Sequence, residues 1–454
     1  MIRKALLAGA ALLALTAVAS AQEAPRAPGS PPMAMGPGAP AAKVDPRAVT
    51  ANIAKAINDT YFDPAKAAKI AADLNAAAAK GQFDGFTDPR DLATALSNWL
   101  RPIDAHFNVA WNPNAPVRAR GPGAGGPTPA EIAQYEAGER RANYGFRRVE
   151  ILSGNIGYID LRQFADFDAE SADAPARDKA DSALAMIGGT DAVIIDLRDN
   201  GGGSPAMVGY LTSAFTPAGA DIYNTFHSRE GTSSEAPVKP YAKPRLDVPV
   251  YVLTSARTGS AAEALAYTLQ QAGRATIVGD ASGGAANPGG MVPAGGGFAI
   301  FVSQGAPINP ISKKNWEGTG VIPDLAVPSA GALTAARRAA LTAVIAKTPA
   351  GPARTDSEWA LQALDAEGKP AIAPAADLAG GYSGVTVAVN DQGLLQIQRG
   401  RRPAQVLLAL GGDLYCVRGE PDRRLRFTRD DKGRPDAIEY LTEDGSPGPR
   451  LRRD

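Results

Sequence analysis

The sequence predicts an α/β fold: an N-terminal helical bundle, an α/β domain around a mostly parallel sheet, and a C-terminal antiparallel β module. Three observations carry this. From Tyr144 onward, apolar runs such as that within Ala192-Val-Ile-Ile-Asp-Leu-Arg198 and Pro249-Val-Tyr-Val-Leu-Thr254 alternate with helical stretches, and such runs are buried on both faces of a parallel sheet. Upstream, the pairs Asp63-Pro64 and Asp88-Pro89 open helix-period segments as cap plus first-turn proline. Near the end, short apolar runs are split by Asn390-Asp391, Gly411-Gly412 and Lys432-Gly433, the turn chemistry of hairpins.

Taken in order, residues 1–21 read as a signal peptide. Arg3 and Lys4 precede the apolar run Ala5 to Val18, and Ala19-Ser20-Ala21 supplies small residues for cleavage before Gln22. The run is shorter than the roughly 20 residues of a membrane span, so the chain is expected to be exported, periplasmic or secreted, with no membrane span. Residues 22–44, poor in periodicity, form a leader. Val49, Ile53 and Ile57 begin the bundle, 45–112, which continues through Leu92, Leu96 and Leu100 to Trp111. A Pro/Gly-rich loop is expected over 113–142. The α/β domain spans 143–335 with insertions around 215–245. A helix from Ala336 to Lys347 and a linker to 375 follow, and the β module occupies 376–454.

Composition removes several functions. Lys+Arg 47 balances Asp+Glu 47, so no overall field attracts a polyanion and nucleic-acid binding is not expected. One cysteine, Cys416, excludes an internal disulfide, and with two histidines, His106 and His227, no Cys/His zinc cluster can form. No metal is expected.

Four segments could carry chemistry. In Thr254-Ser-Ala-Arg-Thr-Gly-Ser260-Ala261, a buried strand runs into a turn and Ser260 falls where a helix starts. Unpaired amides and the positive dipole end lie there, so Ser260 is either a nucleophile beside the Ala261 amide or an ordinary N-cap. Asp196-Leu-Arg-Asp-Asn-Gly-Gly-Gly203 ends a strand in three glycines, either a ligand-facing loop of exposed amides or a tight turn. It lacks the GxxxxGK pattern of a phosphate loop. Asp104-Ala-His106 places a possible general base at the end of the bundle. Glu317, in Asn315-Trp-Glu-Gly318, is a carboxylate that could orient an imidazole.

Together, Ser260, Asp196–Gly203, Asp104–His106 and Trp316–Asp324 resemble the C-terminal processing (tail-specific) serine peptidase family, most of all its branch related to the tricorn core and interphotoreceptor retinoid-binding protein. The resemblance runs from about Val49 to Ala326 and leaves out the β module. It implies a ClpP/crotonase-like catalytic domain, Ser260 as nucleophile, and Gly202 (with Gly201 beside it) and Ala261 as oxyanion-hole amides. It also implies His106 as base and Glu317 as its supporting acid, with no cofactor. These roles agree with the chemistry: a hydroxyl needs an adjacent base, and the base needs a partner to fix its tautomer.

The departures are specific. Many relatives use a lysine downstream of the serine, but none lies between Ser260 and Lys313, which argues against a Ser–Lys dyad. Where the tricorn-type site has a serine before the histidine, this chain has Ala105. That leaves two routes to orient His106: Glu317 by another path, such as water, or Asp104. No stretch between Phe107 and Tyr144 could hold a PDZ domain, so a tail carboxylate would fall to Arg118, Arg120, Arg140 or Arg141, which are otherwise solvated. His227 has no resembling motif and reads as structural. The expected function is an exported serine endopeptidase acting on protein or peptide substrates through an acyl-enzyme. The rival is a non-catalytic binder of peptide or apolar, retinoid-like lipid.

Overall fold

The computed structural model describes residues 43–113, 128–367 and 376–454. The signal segment, nearly all of the leader, and Arg118 and Arg120 lie outside the described residues. The chain forms two compact units. Residues up to Gly138, Asp221–Ala236 and Gly284–Gly318 make the first; Glu139–Ala220, Pro237–Gly283 and Thr319–Asp454 make the second. Two stretches within the 143–335 span therefore pack in the first unit.

In the first unit, helices Pro46–Thr60, Pro64–Ala79 and Pro89–Leu100 each begin with proline behind an aspartate, and Asp45, Asp63 and Asp88 accept main-chain N–H bonds from the first turn. Each such cap is worth about 1 kcal/mol. Ile53, Ile57, Leu74, Leu92, Leu96 and Leu100 are wholly buried and pack with Val109, Phe298, Ile300 and Val302. These last come from the antiparallel sheet in which Phe298–Ser303 lies between Asn108–Trp111 and Gly289–Gly295. A second small sheet joins Gly305–Ile308 to the hairpin Thr225–Ser228 and Gly231–Ser234.

The second unit holds the expected sheet. Its six strands run in the order Leu325–Ala326, Ala275–Gly279, Val250–Thr254, Ala192–Asp196, Ile156–Leu161 and Phe146–Leu152. All pairings are parallel except the last. Every residue of the strands Ala192–Asp196 and Val250–Thr254 is buried, as the apolar run in each leads one to expect. Ile194, Tyr251 and Leu253 face helix Ser329–Lys347 through Ala336, Ala340 and Leu341.

Two helices replace expected irregular chain. Pro129–Arg141 is helical within the 113–142 loop; its side chains, where described, are almost all exposed, so it has no apolar stripe to announce it. Pro352–Glu367 is helical within the expected linker and buries Ala360, Ala363 and Leu364. Its stripe is mostly alanine, which dilutes the period among neighbouring alanines.

The β module is an eight-stranded antiparallel sheet in sequential order from Gly380–Tyr382 to Pro447–Arg452. A bridge between Tyr382 and Arg453 and the Asp454 N–H donated to the Gly381 carbonyl bring the first and last strands together. Tyr382, Leu425, Phe427 and Ile438 fill its interior, as expected of a barrel this narrow.

Candidate active site

Ser260 ends the turn that follows strand Val250–Thr254 and immediately precedes helix Ala261–Gln271. Its φ of 53° and ψ of −121° differ from the extended backbone of an ordinary N-cap. A non-glycine residue held there costs on the order of 1–3 kcal/mol and marks functional turns. The conformation is over-determined from both sides. Ser255 Oγ donates to the Arg198 carbonyl at 2.5 Å, Thr258 Oγ1 to the Leu197 carbonyl at 2.8 Å, and Gly259 N–H to the Asn200 carbonyl at 3.0 Å. The Ser260 N–H donates to Glu263 Oε2 at 2.8 Å. Glu263 is wholly buried, and its Oε1 accepts from Ser282 Oγ at 2.6 Å while that oxygen accepts from Val321 N–H.

The glycine turn lies directly against this serine. A Cβ on Gly202, whose φ is +117°, would sit 2.7 Å from Ser260 Cβ and 3.1 Å from the Ala261 nitrogen, so the approach requires glycine. The Ala261 N–H has no hydrogen-bond partner among the described residues, as expected in a first helical turn. The Gly202 N–H, which the family resemblance assigns to an oxyanion hole, is committed in this conformation: it donates to Asn200 Oδ1 at 2.8 Å. Asn200 is itself fully buried, with Nδ2 on the Leu161 carbonyl at 3.0 Å. The acids of the same segment serve as props. Asp196 accepts from the Arg198 guanidinium twice, at 2.9 and 2.6 Å, from the Arg198 N–H at 3.1 Å, and from Tyr158 at 2.7 Å, while Asp199 pairs with Arg162 and Arg257.

In the first unit, Asp104, His106 and Glu317 come together. His106 Nδ1 lies 3.1 Å from Asp104 Oδ1 and 3.2 Å from Glu317 Oε1. Nδ1 thus touches both carboxylates directly, where the sequence left either Glu317 by an indirect path or Asp104 as the partner. Asp104 is anchored by the His106 N–H at 2.9 Å and Ser303 Oγ at 2.9 Å, and its charge acts on the buried Tyr61 phenol. Glu317 Oε2 accepts the N–H groups of Ala286 and Asn287 at 2.9 and 3.0 Å.

These contacts set the charges. Burial works against a charged imidazole, but the hydrogen bonds and charges of Asp104 and Glu317 outweigh it, so the His106 pKa is pushed up to about 9. Burial likewise opposes ionisation of Asp104, yet the His106 bonds hold its carboxyl below the ordinary range. Burial, then Asp104, pushes the Tyr61 phenol far up. Ligand atoms of Asp104, His106 and Glu317 lie within 4.8 Å of one another, a spacing that could admit a cation; both carboxylates, however, already accept hydrogen bonds.

Ser260, Gly202 and Ala261 therefore cluster in the second unit, and His106, Glu317 and Asp104 in the first. His227 sits exposed on strand Thr225–Ser228, and Arg140 and Arg141 are exposed in the last turn of their helix. Sequence reasoning missed Tyr61, Asn200, Glu263, Ser282 and Ser303 as supports. Only Glu263 left a readable signal: Ser260-x-x-Glu263 is the spacing of a capping box.

Residues 155–327 match the family model described as Peptidase family S41. Among solved structures, the chain resembles a putative peptidase from Parabacteroides merdae, at 20% identity over 63% of this chain and 90% of that one, with a TM-score of 0.41. It also resembles a Streptococcus agalactiae lipoprotein, at 14% identity over 66% and 97%, TM-score 0.42. The photosystem II D1 C-terminal processing protease matches at 16% identity over 63% and 94%, TM-score 0.40. With TM-scores below 0.5, these partial likenesses add no weight to the family match. That match spans the strand, the glycine turn and the strained serine alike, and the chain is a serine-type peptidase whose residues 155–327 match the family S41 model.

Proposed function

We propose that this chain is an exported endopeptidase in which Ser260 is the nucleophile and His106 the general base, oriented by Glu317 and Asp104. The observation that carries the reading is the strained Ser260 backbone, fixed by hydrogen bonds on both sides and followed by an unpartnered Ala261 N–H. Ser260 Oγ attacks the peptide carbonyl as its proton passes to His106. The Ala261 N–H and a donor from the Gly201–Gly203 turn receive the oxyanion. For Gly202 to be that donor, its bond to Asn200 must be shared or exchanged. Collapse expels the amine with the proton from His106, and water then hydrolyses the acyl-enzyme by the same route in reverse. Each hole donor is worth about 3 kcal/mol in the transition state.

The two carboxylates at Nδ1 suit this cycle, since they hold the ring and stabilise the imidazolium that forms. Export rests on the Arg3-Lys4, apolar and Ala19-Ser20-Ala21 pattern, with a mature chain beginning at Gln22. A serine-directed fluorophosphonate tests the nucleophile. Mass spectrometry is expected to find the adduct on the peptide containing Ser260, and none there in Ser260→Ala. A folded wild-type protein that cleaves peptide but stays unlabelled at Ser260 refutes the assignment.

A further inference from the structure

One end of the C-terminal barrel is open, with a cavity of about 740 Å³, within the roughly 300–1,000 Å³ of small-molecule sites. The pleat decides what lines it. Ile397 is buried among the interior residues, so Arg399, two residues on in strand Leu395–Arg399, shares its inward face at the rim. Arg399 lies opposite the buried Val385, and Gln405 lies opposite Ile397. Arg402 reaches the same rim from the following turn.

The charges there are unevenly matched. Arg423, also lining the cavity, is engaged by Glu420 Oε2 at 2.6 Å and Gln405 Oε1 at 2.8 Å. Arg424, which also lines the cavity, is buried and bonds to Gln362 Oε1 and the Trp359 carbonyl. Arg399 and Arg402 are exposed, and among the described residues neither guanidinium has a hydrogen-bond or ion-pair partner. Asp422 is the one acid in the lining. Two uncommitted guanidinium groups therefore stand in a lining whose half-buried apolar groups are Tyr440 and Leu441. Guanidinium is the side chain best matched to a carboxylate, which it can bind through paired N–H bonds.

We propose that this barrel mouth binds an aliphatic monocarboxylate, its headgroup on Arg399 and Arg402 and its chain against Tyr440 and Leu441.

Calorimetric titration of the full chain with octanoate, octanol and an octapeptide ending in a free leucine carboxylate tests this. Saturable octanoate binding is expected, at least tenfold tighter than octanol and weaker in high salt. The double variant Arg399→Gln, Arg402→Gln is expected to lose at least tenfold in affinity while keeping the wild-type melting temperature and peptide cleavage. The proposal is overturned by no saturable octanoate binding, by octanol binding equally well, or by undiminished binding in the double variant. Binding of the peptide without octanoate overturns it too.

Discussion

His106 meets two carboxylates on one nitrogen, and this determines the behaviour expected of the site. With a pKa pushed up to about 9, the ring is mostly protonated at neutral pH and becomes a base only as protons leave. Peptidase kcat/KM is therefore expected to rise with pH and level off near 9. Neutralising one partner, by Glu317→Gln or Asp104→Asn, removes an opposite charge worth about 1–3 pKa units and is expected to move that limb toward acid by about one unit or more, even as kcat falls. An unmoved limb in both variants removes His106 from the role of base. The stability linkage has the matching sign. A folded pKa above the unfolded value near about 6.5 means that the stabilisation from the charged ring is complete below that pH and lost as pH climbs through about 9.

At the scale of elements, the glycine turn and the serine turn form one machine part. Gly202 is as close to Ser260 as glycine permits, so Gly202→Ala adds a Cβ that must displace the serine or the Ala261 amide. The substitution is expected to lower kcat about 100-fold or more, the scale of a lost oxyanion donor, in a protein whose circular dichroism is unchanged. Wild-type kcat in folded Gly202→Ala shows that the turn does not shape the site. These two turns were legible because each follows a strand with an apolar run, Ala192–Asp196 or Val250–Thr254. The bundle was legible through Asp63-Pro64 and Asp88-Pro89. Helices Pro129–Arg141 and Pro352–Glu367 were not, since one lacks an apolar face and the other has one made largely of alanine. The partnership of Glu317 with His106 could not be read from local pattern, because it depends on where Gly284–Gly318 packs. Nor could the hold of Asn200 on the Gly202 N–H, which depends on a side-chain rotamer inside a turn.

On the scale of the whole molecule, the residues assigned to one reaction are distributed over two compact units. The second holds Ser260, Gly202 and Ala261, and the first holds His106, Glu317 and Asp104. The linear order of the chain conceals this, because Asp221–Ala236 and Gly284–Gly318 leave the α/β domain's sequence to pack with the bundle. The β module adds a barrel with its own core outside the matched residues 155–327. The central claim is that Ser260 and His106 act in one peptide-cleaving site. The most direct test incubates the mature chain, Ser260→Ala and His106→Ala with an unstructured peptide library and follows cleavage by mass spectrometry. The account predicts cleavage by the wild type and a loss of at least about a thousandfold in each variant. Cleavage that survives in either folded variant contradicts it.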